Sequence, residues 1–150
     1  MGIQSEMKMT EFDSSFGCIH DEIIPYFAAN PGIASLEYQL FHNRDPQSDF
    51  IKDLKASNIT PVKWDFHSLN SHHPSDLRNI DLAIFNCNLH SISQASEFLK
   101  RLRLLMKPNA FVLIHEVTNN IETIRQTISD DMLRTNERWE SFFDECGYVR

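Results

Sequence analysis

Ile80-Asp81-Leu82-Ala83-Ile84-Phe85-Asn86-Cys87-Asn88-Leu89-His90 and, further on, Ala110-Phe111-Val112-Leu113-Ile114-His115-Glu116 decide how this chain folds. From Ile80 to Asn88 both faces are apolar, the pattern of a central parallel strand covered on both sides. Ala110 to Val117 reads as a second strand. Between them, in Ser93 to Lys107, Phe98, Leu99, Leu102, Leu105 and Met106 recur at helical spacing, and Pro108-Asn109 ends the helix. The three segments form a βαβ unit. Its strand ends point His90 and Glu116 towards one crevice, and open α/β sheets bind ligands at the carboxyl ends of their strands.

Working outward, Met7 to Phe12 is a short strand. Cys18 to Ala29 is a helix with Ile19, Ile23, Ile24 and Phe27 on one face, stopped by Asn30-Pro31-Gly32. Leu36, Tyr38 and Leu40 alternate with polar residues, and Phe41 closes that strand. Asp45-Pro46 starts a helix whose buried stripe is Phe50, Ile51 and Leu54. Ile59 to Phe66 is a third strand and Ser68 to Ser75 a surface loop. Ile121, Ile124 and Ile128 mark a late helix. Trp139, Phe142, Phe143 and Cys146 mark the last one, which reaches Gly147. The alternation predicts an α/β fold with a mostly parallel sheet and helices on both faces. A glycine after such a helix commonly leads into a further strand, so the sheet is expected to be truncated and the chain to be a piece of something larger.

The 150 residues fit one domain. Fourteen basic against twenty-one acidic residues give a net charge of −7, which disfavours nucleic acid as a partner. Cys18, Cys87 and Cys146 are widely spaced and odd in number, which fits reduced thiols and a cytoplasmic setting. No signal-peptide core and no membrane-length apolar run is present. Glycine is scarce: only Gly2, Gly17, Gly32 and Gly147 occur.

Several conspicuous residues have ordinary readings. His115 is expected to face away from Glu116 as a satisfied core histidine. His72-His73 read as solvated loop residues, and no metal site is expected. Lys100, Arg101, Arg103 and Lys107 read as a solvated helix face, on which an acidic carrier domain is the less favoured occupant. Cys87 reads as a small buried residue rather than a nucleophile.

The βαβ segments quoted above, with Leu104 to Glu116 and Glu137-Arg138-Trp139-Glu140-Ser141-Phe142-Phe143, resemble the class I S-adenosylmethionine-dependent methyltransferase domain. More narrowly, they look like the methyltransferase-type region of polyketide synthases and animal-type fatty acid synthases. Asn86-Cys87-Asn88 and Trp139 to Phe143 point to the fatty acid synthase version, a shortened, non-catalytic pseudo-methyltransferase. That resemblance implies a cytoplasmic, homodimeric multienzyme of fatty acid biosynthesis as parent, with NADPH and phosphopantetheine used elsewhere in it. Neighbouring reductase- and dehydratase-type domains of the same polypeptide would then be this segment's partners.

The family's first strand ends in an acidic residue and a turn with glycine at every second position. The matching residues here are Glu11-Phe12-Asp13-Ser14-Ser15-Phe16-Gly17. Glu11 and Gly17 keep the pattern, while Asp13 and Ser15 replace glycines that would let the backbone turn and approach the cofactor. Asn43, or Asp45 in another register, stands where the ribose-binding acid would be, and Asp65 matches the adenine-binding carboxylate. On this comparison no cofactor and no catalytic residue is expected, and Glu11 and Asp65 are expected to face solvent. The rival implication is a carbon methyltransferase domain of a polyketide synthase-like protein. It would use S-adenosylmethionine, with Glu11, Gly17, Asn43 and Asp65 as cofactor contacts, His90 as general base and Glu116 as its partner.

Overall fold

A computed structural model describes residues 5–68, 72–75, 77–92, 94–116 and 136–149. Five strands, β1 (Ser5–Phe12), β2 (Ile33–His42), β3 (Thr60–Lys63), β4 (Ile80–Asn86) and β5 (Met106–His115), form one sheet in the order β3-β2-β1-β4-β5. Every pairing is parallel. The helices are α1 (His20–Ala28), α2 (Asp49–Ala56), α3 (Ala95–Leu105) and α4 (Asn136–Glu145), with a 3-10 turn at Leu89–Ser91.

Alternation along the central strands sorts the core into two layers. Met9, Tyr38, Leu40, Leu82 and Ile84 meet Ile51 and Leu54 of α2, with Ile23 and Phe27 of α1 at the margin. Phe12, Phe41, Ala83 and Phe85 meet Phe98, Leu99 and Leu102 of α3 and Trp139 beside Cys146. In the second layer, Phe12 stacks on Phe85 at 4.6 Å and takes Phe66 and Phe98 edge-on at 5.2 and 5.5 Å. Such pairings add about 0.5–1.5 kcal/mol each to the burial they accompany. Helices therefore cover both faces, and the chain has the Rossmann-like class I methyltransferase fold.

Some boundaries differ from the sequence reading. Helix α2 starts at Asp49, not at Asp45-Pro46: the Asp45 carboxylate accepts from the Gln47 N–H at 2.9 Å and closes a turn instead. Strand β5 starts at Met106, so Pro108-Asn109 lies inside a strand and does not end the helix. Pairing with β4 shifts register between Ile80 and Leu82, and Asn109 has φ +63°. That irregularity makes room for a proline with no N–H to give. The helix expected at Ile121, Ile124 and Ile128, and part of the Ser68 to Ser75 loop, lie outside the described residues. No described helix is long and apolar enough to cross a membrane.

Candidate active site

Strand order reverses between β1 and β4, and this is where an open parallel sheet forms its crevice. The β1 side of that crevice is the turn Asp13 to Gly17. Its backbone is tied to β2 and closed on itself: Asp13 N–H donates to Phe41 O at 2.8 Å, and Gly17 N–H donates to Ser14 O at 3.1 Å within the turn. Two amides at the end of β4 complete the anchoring. Asn88 Nδ2 donates to Phe12 O at 2.8 Å and Asp13 O at 3.1 Å, and Asn86 Nδ2 donates to Gly17 O at 2.9 Å. Parallel strand ends leave carbonyls that need donors, and the Asn-Cys-Asn sequence supplies them. The sequence reading missed these amides as builders of the site, although two asparagines ending an apolar strand were the available signal.

Only Gly17 in this turn has a positive φ, +100°. Asp13 and Ser15 adopt ordinary backbone conformations, so losing glycine there does not prevent the turn. That corrects the expectation based on turning. What changes is side-chain chemistry. Arg44, just past β2, makes a bidentate ion pair with the Asp13 carboxylate at 2.7 and 3.0 Å, and its guanidinium also lies 3.9 Å from the Phe50 ring centre. Hydrogen bonding to Asp13 raises the Arg44 pKa further. A clasp thus joins the β1 and β2 ends.

Glu11 does not face solvent as expected; it is fully buried. Tyr38 Oη donates to Oε1 at 2.8 Å and Ile19 N–H donates to Oε2 at 2.7 Å. His20 Nδ1 stands 3.5 Å from Oε1. Burial first, and then the Glu11 charge, push the Tyr38 hydroxyl's pKa far up, so it stays a donor. Asn43 and Asp65 are exposed beyond the ends of β2 and β3, while Asp45 only closes its turn.

On the β4–β5 side the structure brings His90 and Glu116 together. Nδ1 lies 2.6 Å from Oε1, and the His90 backbone N–H donates to Oε2 at 3.2 Å. The two side chains are only 6% and 4% exposed, so the carboxylate acts on the imidazole without water screening it. The 3-10 turn that presents His90 is fixed by Ser91 Oγ donating to Asn88 O at 2.7 Å, and the Phe16 ring meets the imidazole edge-on at 6.1 Å. A carboxylate on Nδ1 holds the proton there and leaves the Nε2 lone pair as the base.

Cys87, His115 and Asn86 lie close together, and their chemistry rules out a nucleophile. His115 Nδ1 contacts Asn86 Oδ1 at 2.8 Å and Cys87 Sγ at 3.7 Å. Because Asn86 Nδ2 is already committed to Gly17, its Oδ1 must accept the Nδ1 proton. The same nitrogen cannot then deprotonate the thiol. Burial and the Glu116 charge also push the Cys87 pKa up. His115 is exposed rather than in the core, a correction; its hydrogen bond to Asn86 is what satisfies it. His72 and His73 are exposed, as expected. On α3, Lys100 pairs with Glu97, whereas Lys107 belongs to β5 and pairs with Asp81 at 2.9 Å.

No protein-family model matches the sequence. Among solved structures, the citrinin polyketide synthase CMeT domain matches with TM-score 0.77 and 12% identity over 100% of this chain and 42% of its own. The CurJ carbon methyltransferase matches with TM-score 0.73 and 16% identity over 99% of this chain and 43% of its own. A SAM-dependent methyltransferase from Aquifex aeolicus matches with TM-score 0.66 and 13% identity over 97% and 74%. At these identities the likeness is one of fold. The chain spans about two fifths of the length of the two carbon methyltransferase structures.

Proposed function

We propose that this chain is the cofactor-fold portion of a carbon methyltransferase-type domain from a polyketide or fatty acid synthase-like multienzyme. Its own chemical contribution is removal of a proton from the carbon next to a thioester carbonyl. The buried 2.6 Å contact between His90 and Glu116 carries this reading. His90 Nε2 takes the α-proton, and Glu116 stabilises the imidazolium that results. S-adenosylmethionine, when bound, supplies an electrophilic methyl group.

Two observations fit such a group. Asn88 Oδ1, just past the end of β4, is a buried acceptor with no partner, and a Cβ added at Gly17 would have no atom within 4 Å. Gly17 and Asn88 would hold the methionine end, with Asn43 on the ribose and Asp65 on the adenine. Calorimetric titration with S-adenosylmethionine tests binding: saturable micromolar affinity, lost in Asp65→Ala, is expected. Hydrogen–deuterium exchange at the α-carbon of an acyl thioester tests the base. His90→Ala should slow it about 10²–10⁴-fold while leaving cofactor affinity unchanged.

The Asp13–Arg44 clasp favours a second reading. In it the segment is a non-catalytic pseudo-methyltransferase of a homodimeric fatty acid synthase-like parent. It binds no cofactor, and its work is to pack against reductase- and dehydratase-type neighbours. Absence of titratable binding in the native chain, with binding restored by Asp13→Gly with Arg44→Ala, would support that reading over the first.

A further inference from the structure

The end of β1 and the approach to α1 hold a donor set that the proton-abstraction reading does not use. The Glu11 carboxylate, the Cys18 thiol and a His20 ring nitrogen offer ligand atoms that all lie within 4.8 Å of one another. We propose that these three residues form a site for a zinc-type divalent cation.

The donor types are the first argument. One thiolate, one imidazole and one carboxylate are the mixed set that suits zinc and is unsuited to magnesium or calcium. The spacing is the second. Bonds of about 2.0–2.3 Å at tetrahedral angles put ligand atoms about 3.3–3.8 Å apart. Glu11 Oε1 and His20 Nδ1 are already 3.5 Å apart, and no two ligand atoms of the set are more than 4.8 Å apart, within about 1 Å of the tetrahedral spacing. Thirdly, His20 Nδ1 is a buried atom with no hydrogen-bond partner, 3.5 Å from a carboxylate that is itself sealed from water. A cation between the two groups would add a positive charge beside a carboxylate that water does not reach.

The surroundings also suit a metal. Tyr38 Oη and the Ile19 N–H already fix the carboxylate from behind, the role that outer partners play at metal sites. Three protein ligands leave a fourth position for water. Binding replaces the Cys18 S–H bond with an S–metal bond and releases that proton to solvent. The ion would tie the end of β1 to the first turn of α1.

The full chain, stripped with a chelator, is titrated with Co²⁺ and then competed with Zn²⁺. One equivalent should bind, with a thiolate-to-cobalt charge-transfer band that Cys18→Ser abolishes. Cys87→Ser and Cys146→Ser should keep the band, and Tyr38→Phe should weaken affinity about 10-fold. A band that survives Cys18→Ser, or no stoichiometric uptake, overturns the site. Because Cys18→Ser could disturb folding, unaltered protein provides a second readout. One equivalent of Zn²⁺ should protect Cys18 from alkylation while Cys87 and Cys146 react as before; equal labelling of Cys18 with and without zinc overturns the proposal.

Discussion

Glu11 shows what a one-strand reading misses. Its place at the end of an apolar strand suggested a solvent-facing carboxylate, but its partners come from elsewhere. Tyr38 lies diagonally across the β1–β2 ladder, where Glu11 itself pairs with Leu40, and Ile19 lies beyond the turn. His42 is a similar case with a measurable consequence. It is buried, its Nδ1 accepts the Arg44 N–H at 3.1 Å, and burial, opposed by Asp13 and reinforced by Lys63 and Arg44, lowers its pKa. The unfolded chain, with a histidine pKa near 6.5, then takes up a proton more readily than the fold does. This stabilising contribution is complete above about pH 6.5 and is lost as pH falls through the lower folded value. His20 has the opposite sign: contact with Glu11 raises its pKa, so its contribution is complete below about pH 6.5 and is lost as pH rises through the folded value. Urea midpoints at pH 5, 6, 7 and 8 separate the two, the first loss lying towards pH 5 and the second towards pH 8. His42→Asn keeps an acceptor without a titration, so it should flatten the loss of stability towards pH 5. Parallel profiles for the variant and the unaltered chain would remove the argument.

At the scale of elements, the strands and helices were legible because apolar period reports which faces are covered, and this sheet is covered on both. Boundaries were less legible where one residue can serve two local structures. Asp45-Pro46 suits a turn as well as a helix start, and Pro108-Asn109 suits an irregular strand as well as a helix stop. The crevice turn was half legible. Its position followed from Glu11 and Gly17, but the amides that hold it and the Arg44 clasp come from β4 and the β2 end, and no spacing along β1 could reveal them. Gly17 carries the turn's one unusual backbone angle, φ +100°, with open space where a Cβ would go. Gly17→Ala should therefore cost backbone strain alone, about 1–2 kcal/mol. That would be read as a lower urea midpoint at unchanged slope. A neutral substitution would mean that the turn adopts another shape in solution.

Over the whole molecule, the sheet's layers were predictable from sequence, but the state of its β5 side was not, because an edge depends on what pairs there. In the described sheet β5 is an outer strand carrying Phe111 at 74% and Leu113 at 43% exposure, with Leu104 at 85% at the end of the helix before it. Unpaired N–H and C=O groups alongside exposed apolar side chains make such an edge a template for another strand. A charge on the exposed face opposes that pairing by the desolvation it imposes. The net charge of −7 adds a repulsion that salt screens. The 150-residue chain should therefore self-associate as concentration and ionic strength rise, and Phe111→Lys with Leu113→Glu should return it to monomer. Sedimentation velocity across a concentration series at low and high salt reads both effects. A monomer under every condition, with the native residues in place, would show that this edge is closed by the chain itself.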